Sequence, residues 1–396
     1  MSTKYPGRFD TLGTLNNNLR SIGILVIGDS HAAGRLNTAV VSGAEKLGLY
    51  AFSSSRDRHW TGSADAPQFP MDNSIGAVNG STQDPNTGGT VNTGSFTAWI
   101  PMLLRQSFPN DLKIIRVANT AIGGSSSFTW AGETASGYLQ VLVLPTVGDT
   151  VTVGSVVYTF RASASIANEV TIGGTLTATA INLANAINAE STGWGTGTVA
   201  NPGAYCPNAP ASGLFRIFAL STGTAGNSTI LSTSNGTSIS VYQAFAGGSA
   251  TSAQYAASKA QIPSGFGSVD IVIITLGTND AGRVGYRGRG TAAEMVKLIA
   301  NIHADYPLAK IILWRTPTTT AGGLTQASIA GVVAAMDAVV AANPLFVSAV
   351  DMNALGNPIS ADTSIVSADG IHLTSYAYSF AAQMYSRKIA TALGLF

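Results

Sequence analysis

"IGILVIGDSHAAG", Ile22–Gly34, is the stretch on which the fold of this chain turns. Ile22–Ile27 is a continuous apolar run, rich in β-branched residues and broken only by Gly23. A strand with one wet face alternates apolar and polar residues, whereas an unbroken run suits a strand covered on both faces, as in a parallel sheet flanked by helices. The run stops at Gly28-Asp29-Ser30, three residue types that favour turns. Alone, that tripeptide reads first as an ordinary turn, with a nucleophile held at the end of a buried strand as the alternative.

Three other stretches repeat the pattern of a buried strand ending in small polar residues. They are "KIIRVANTAIGG" (Lys113–Gly124), "VDIVIITLGTND" (Val269–Asp280) and "AKIILWRTPTT" (Ala309–Thr319). Helical patterns lie between and after them, over Thr38–Leu47, Ser95–Phe108, Thr291–Tyr306, Gln326–Asn343 and Thr374–Gly394. Within Thr291–Tyr306, the residues Met295, Leu298, Ile299 and Ile302 share one face, and Thr291 with Glu294 has the spacing of a capping box. Strands alternating with helices predict a three-layer α/β/α domain around a parallel sheet. In such sheets ligands bind beyond the carboxyl ends of the strands, which is where the small polar residues fall.

The alternation breaks between Ser136 and Ala250. Here "VGDTVTVGSVVYTFRA" predicts a β-hairpin turning at Gly154-Ser155. Leu176, Ala180, Leu183, Ala184 and Ile187 form a helical stripe, and "LFRIFAL", "STILST" and "SISVYQAF" read as short strands. The expected organisation is therefore a discontinuous α/β domain, residues 1–135 and 251–396, with a β-rich (α+β) module inserted at 136–250. Trp60–Gly94 is polar, rich in Gly, Asn and Pro and without periodicity, and reads as a long surface loop.

Composition narrows the function classes. Apolar residues make up 45% of the chain, enough for a sizeable core, but charged residues only 10%, against the usual quarter or so. Low charge with abundant Gly, Thr and Asn is common in β-rich extracellular and virion proteins. A net charge of +1 with no long basic run argues against nucleic acid as a partner. A single cysteine, Cys206, leaves no intrachain disulfide and no cysteine-based metal cluster, and its surroundings, "NPGAYCPNAP", read as a loop. No apolar h-region is visible at the N-terminus and no stretch has the length of a membrane span. The expected location is the virion, or the extracellular space after lysis, with the cytoplasm as the fallback.

The chemistry hinges on a further stretch, "SADGIHLTSYAY" (Ser367–Tyr378), where Asp369 and His372 precede a helix. A serine nucleophile needs a base for its proton, a carboxylate to orient that base, and donors for the developing oxyanion. Ser30 supplies the nucleophile, His372 the base and Asp369 the carboxylate. The Ser30 N–H, a glycine N–H in "NTAIGG" and the Asn279 side chain supply the donors.

With these residues in place the chain resembles the SGNH hydrolases, also called the GDSL esterase family. Gly28–Ser30 matches the first family block, Asn119–Gly124 the second, Gly277–Asp280 the third and Asp369–His372 the last. The resemblance implies a flavodoxin-like α/β/α fold, serine-esterase activity without metal or cofactor, and an oxyanion hole formed by Ser30, Gly124 and Asn279. His31 departs from the family pattern, which has leucine after the serine. The inserted module, through "GDTVTVGSVVYTF", "TATAINLANAINA" and "GTAGNS", resembles a segment of tailed-phage structural proteins. That implies a virion tail component with other tail proteins as partners. The expected substrate is an O-acetyl group on a bacterial surface polysaccharide or another acylated polysaccharide or small ester. Two alternatives stay open: a glycan-binding tail protein with little turnover, and a general short-chain lipolytic esterase. His59 and Trp60 are candidates to line the cleft, Arg283, Arg287 and Arg289 to meet an acidic sugar, and Trp130 and Trp194 to stack on sugars or pack in the core.

Overall fold

The computed structural model of the chain describes residues 20–29, 32, 58–61, 69–70, 82–83, 90–91, 99–108, 112–121, 125–132, 134–206, 210–221, 223–249, 252–260, 262, 266–281, 289–317, 326–355, 365–366 and 370–395. In chain order the strands are β1 (Arg20–Gly28), β2 (Arg58–Thr61), β3 (Phe69–Pro70), β4 (Thr82–Gln83), β5 (Thr90–Val91), β6 (Leu112–Asn119), β7 (Ser136–Val141), β8 (Thr150–Val153), β9 (Val156–Arg161), β10 (Glu169–Thr171), β11 (Ala204–Tyr205), β12 (Leu214–Ala219), β13 (Leu231–Thr233), β14 (Ile239–Ala246), β15 (Ile271–Thr275), β16 (Lys310–Arg315) and β17 (Val347–Asp351). The helices are α1 (Trp99–Ser107), α2 (Ser127–Ala131), α3 (Leu176–Asn188), α4 (Ala253–Ala260), α5 (Thr278–Ala281), α6 (Arg289–Asp305), α7 (Gln326–Ala342) and α8 (Ser375–Leu393).

The central sheet has the order β17-β16-β15-β1-β6-β2-β3. All its pairings are parallel except β2–β3. The five long strands thus run 2-1-3-4-5 in chain order, the doubly wound arrangement that places a topological switch beside its first strand. The apolar run in β1 is covered on both faces, as a buried parallel strand must be. Ile22, Ile24 and Val26 pack with Ile100 and Leu104 of α1 and with Tyr378, Ala381 and Tyr385 of α8. Leu25 and Ile27 point the other way, against Trp130 of α2, Tyr255 of α4, Met295, Leu298 and Ile302 of α6, and Val332 and Met336 of α7. The fold is the expected α/β/α sandwich.

Two further four-stranded sheets, β10-β9-β8-β13 and β11-β12-β7-β14, enclose a separate apolar cluster with α3. The hairpin forms as expected, with Val153 opposite Val156 and Gly154 at φ +61° in the turn. Ala180, Leu183, Ala184 and Ile187 of α3 are buried, but Leu176, at the first position of the helix, is exposed.

Several expectations are corrected. Trp60–Gly94 is not wholly loop: β2 begins at Arg58 and joins the sheet edge beside β6, and β3, β4 and β5 follow. Strands of two to four residues are too short to show a period of two, and their existence depends on a neighbour rather than on local pattern. The capping box is absent, because α6 starts at Arg289 and Thr291 lies inside it. In "STILST" only Leu231–Thr233 is strand, since Ser228 ends a 3₁₀ turn. Ala204–Tyr205 is strand in the stretch read as loop, and Cys206 beside it is fully buried. The sheet's outer strand β17 was not anticipated. The helix expected at Thr38–Leu47 lies outside the described residues.

Candidate active site

The carboxyl ends of β1, β6 and β15 meet at the switch point, and the residues there are tied to one another across the sheet. Gly28, the last residue of β1, is in register with Thr275, the last of β15. Its φ is +153°, and a Cβ at this position would run into the Thr275 hydroxyl and come within 2.5 Å of the Thr275 carbonyl oxygen. Only glycine lets the two strand ends lie this close. The next residue, Asp29, is buried, and its N–H donates to the Thr275 carbonyl at 2.8 Å.

The second block fastens the same segment from the other side. The Ser125 hydroxyl donates to the Gly28 carbonyl at 2.7 Å, and the Asn119 amide nitrogen donates to the Ala32 carbonyl at 2.7 Å. Thr120 N–H and hydroxyl both donate to the Val26 carbonyl. Trp130 Nε1 in turn donates to Ser125 Oγ at 2.8 Å, with the indole fully buried. Trp130 is therefore a core residue that braces Ser125 and is not available to stack on a sugar.

The third block completes the set. Gly277 has φ +116°, and a Cβ there would collide with Thr316 Oγ1 and approach Met336 Cε to 2.7 Å. That turn starts the short helix α5 and brings up Asn279, which is partly exposed. Asn279 Nδ2 donates to the Ser125 carbonyl at 2.8 Å. An amide nitrogen carries two N–H groups, so this bond fixes the side chain through one of them and leaves the second as a donor for a ligand. Asp280, fully buried, accepts from Ser127 N–H and from Ser127 Oγ (2.7 Å), which also meets Glu294 Oε2 at 2.5 Å. Tyr205, from the β-rich sheet, donates to the other Glu294 oxygen at 3.4 Å.

His372 lies in the turn before α8 and is partly exposed. Its flanks are fixed. Leu373 is fully buried and bridges to Val366, Thr374 N–H donates to the Ile365 carbonyl, and the Thr374 side chain caps α8 by accepting from Ala377 N–H. Leu373 and Ala32 belong to one apolar cluster, on the face of the sheet covered by α1 and α8. Tyr385 of α8 lies in that cluster too, and burial together with the negative charge of Asp29 pushes its phenol well above the ordinary range.

Of the residues expected from sequence, Asn279 lies just after the end of β15 and His372 in the turn before α8. Ser30, Gly124 and Asp369 lie outside the described residues, as do His31, Arg283 and Arg287; Arg289 opens α6 and His59 and Trp60 are in β2. Sequence reasoning did not single out Ser125, Ser127, Asp280 or Thr275. The dense hydroxyl run in "GGSSSFTW" was the available signal for the first two. Trp194 is partly buried against the module core and donates to the Glu190 carbonyl. Among the described residues no group of three His, Cys, Asp or Glu is arranged to hold a metal ion, and no helix is long and apolar enough to cross a membrane.

The model of the GDSL-like Lipase/Acylhydrolase family matches residues 191–380, a span that contains the third block and the last but neither of the first two. The match supports a GDSL/SGNH ester hydrolase. Among solved structures, the chain is similar to a protein from Arabidopsis thaliana at 11% identity and TM-score 0.47, covering 94% of this chain and 99% of that one. It is also similar to Est24, a carbohydrate acetylesterase from Sinorhizobium meliloti, at 12% identity and TM-score 0.37, covering 95% and 100%. A lipase/acylhydrolase from Enterococcus faecalis matches at 12% identity and TM-score 0.34, covering 93% and 96%. No curated protein sequence matches the chain.

Proposed function

We propose that this chain is a GDSL/SGNH hydrolase that removes O-acetyl groups from a polysaccharide, with Ser30 as nucleophile, His372 as general base, Asp369 as its orienting carboxylate, and Ser30 N–H, Gly124 N–H and Asn279 Nδ2 as oxyanion donors. One observation carries the reading. The backbone on both sides of position 30 is anchored by residues in or beside the other blocks, Gly28 by Ser125, Asp29 by Thr275 and Ala32 by Asn119. A turn with no task has no need of three such anchors. A nucleophile does, because its attack geometry must be fixed before the substrate arrives.

The steps follow from those roles. His372 takes the Ser30 hydroxyl proton as Oγ attacks the acetyl carbonyl, and the oxygen's negative charge falls between the donors. The C–O bond to the sugar breaks, and the sugar hydroxyl leaves with the proton from His372. Water then gives a proton to His372 and attacks the acetyl-serine, releasing acetate and restoring Ser30. The held Asn279 amide supports this assignment, since a donor already oriented costs no reorganisation during reaction. The resemblance of the inserted module to tailed-phage proteins supports a place on a virion, or outside the cell after lysis, with the polysaccharide on a bacterial surface.

Acetate release from a panel of O-acetylated bacterial polysaccharides tests the reading, with Ser30→Ala as control. The parent is expected to release acetate and the variant not to. Undiminished hydrolysis of p-nitrophenyl acetate by Ser30→Ala overturns the catalytic assignment, and activity confined to long-chain acyl esters overturns the substrate.

A further inference from the structure

The outer face of the sheet β11-β12-β7-β14 carries a compact set of rings, amides and one cation that the esterase reading leaves without a task. Tyr138 and Gln140 alternate with buried Leu139 and Val141 along β7, so both point outward. Arg216 on β12 is opposite Tyr138 in register, and Leu214 is opposite Gln140. On β14 a register shift between Val241 and Gln243 turns both Tyr242 and Gln243 outward beside Tyr138. Tyr242 is 66% exposed and meets the Tyr138 ring at 6.5 Å and 73°.

Arg216 is held in place without being neutralised. Its guanidinium lies 4.3 Å from the Phe218 ring centre and 5.5 Å from that of Tyr138, and Nη2 donates to Ser136 Oγ at 2.9 Å. It makes no ion pair among the described residues. A rigid cation flanked by aromatic faces is prepared for an anion, because little side-chain freedom remains to be lost on binding. Tyrosines leave ring surface for the C–H face of a sugar, and Gln140 and Gln243 add donors and acceptors for hydroxyls.

We infer that this face binds an acidic polysaccharide chain, with a uronate carboxylate on Arg216 and sugar rings against Tyr138 and Tyr242. Three strands at about 4.8 Å spacing make the strip about 10 Å wide, narrow enough to seat a single glycan chain. Its edge residues Phe218 and Tyr205 are buried, and Tyr205 reaches Glu294 on α6 in the hydrolase fold. The platform is thus joined to the helix that follows the third block, and a chain held on it is tethered to the esterase. The inference rests on the polysaccharide reading proposed above and names the substrate class for it.

The test is calorimetric binding of the full chain to hexasaccharides of galacturonate, guluronate and hyaluronan, with a neutral dextran oligosaccharide for comparison. The parent is expected to bind at least one acidic probe, more weakly as salt rises, and to bind dextran less well. Tyr242→Ala and Arg216→Gln are each expected to weaken binding by about tenfold, a loss of one good charge-assisted or stacking contact. Both are solvent-facing changes, and their p-nitrophenyl acetate turnover is expected to match the parent. The inference falls if no acidic probe binds, if dextran binds equally, or if both variants bind like the parent. It also falls if Tyr242→Ala changes the sedimentation of the chain without changing glycan binding, which makes the face a contact between copies. The esterase reading is scored separately by acetate release: binding without release sinks the deacetylase and leaves the platform standing.

Discussion

Replacing Asn279 by alanine separates two functions of one side chain. One N–H holds the Ser125 carbonyl at 2.8 Å and the other is the proposed oxyanion donor. Losing an oxyanion donor lowers kcat by roughly 10²–10³, or about 2.7–4 kcal/mol of transition-state stabilisation. KM should stay nearly constant, because the contact strengthens only as charge develops on the oxygen. The second effect is on stability. Ser125 is 5% exposed, and an unsatisfied buried acceptor costs about 1–3 kcal/mol. In a domain of this size that lowers the melting temperature by roughly 2–4 °C per kcal/mol. Stopped-assay kinetics on p-nitrophenyl acetate and a thermal melt on the same preparation measure the two losses independently. Asn279→Asp keeps the shape but puts an acceptor opposite an acceptor, so it should be the less stable of the two and at least as slow. A kcat within threefold of the parent for Asn279→Ala refutes the donor role. A kcat loss that scales with the melting temperature, and recovers at low temperature, reduces the residue to a structural brace.

Gly28→Ala should abolish soluble expression or activity, since the new methyl group meets both the hydroxyl and the carbonyl of Thr275; because the carbonyl stays, Thr275→Ala should not rescue it, and recovery of activity in the double variant refutes the steric argument. Trp130→Ala removes a fully buried indole and the donor to Ser125, and should cost about 3–5 kcal/mol in chemical denaturation. Glu169 is held at a pKa of about 2 by the Ser165 N–H, the Arg161 guanidinium and the Ile166 N–H. A lowered carboxyl stabilises the folded state above the unfolded value of about 4.5 and loses that contribution as pH falls toward 2. Melting curves of Glu169→Gln should therefore be less stable than the parent at pH 6, with the gap closing between pH 4.5 and 2, and a gap constant with pH refutes the linkage.

The sandwich was legible because its strands are unbroken β-branched runs that end in small polar residues, and β1, β6, β15 and β16 fall where those runs do. The outer strand β17, Val347–Asp351, was not, since "VSAVD" is short, is interrupted by Ser348, and has only two buried residues. Short β2 was hidden for a related reason: four residues owe their conformation to pairing with β6 and β3, not to their own pattern. Asn279 and His372 were named from block spacing, and the structure places the first after β15 and the second before α8. The hydroxyls of Ser125 and Ser127 were not, because serine just before or at the start of a five-residue helix carries no periodic signal, and what gives each its partner is a contact across 97 or 153 positions of chain. Glu294 was assigned to a helix cap for the same reason: local spacing offered a local role, whereas the side chain is spent on Ser127 and Tyr205.

That last correction changes how the β-rich sheets relate to the chemistry. Glu294 takes a hydrogen bond from Tyr205 on one oxygen and faces Ser127 with the other, and Ser127 binds Asp280, the neighbour of Asn279. Ser127 is two residues from Ser125, which holds both Gly28 and Asn279. A continuous run of hydrogen bonds and adjacent residues therefore leads from the β-rich sheet to Asn279 and to the Gly28 carbonyl. Asp280 and Glu294 are both buried, and buried carboxylates stay favourable only while their donors stay in place. Weakening the Tyr205 contact should thus loosen the network that holds Asn279 and the Gly28 backbone. On this account the extra sheets are more than decoration on an esterase: their packing against α6 helps set the geometry of the strand-end junctions.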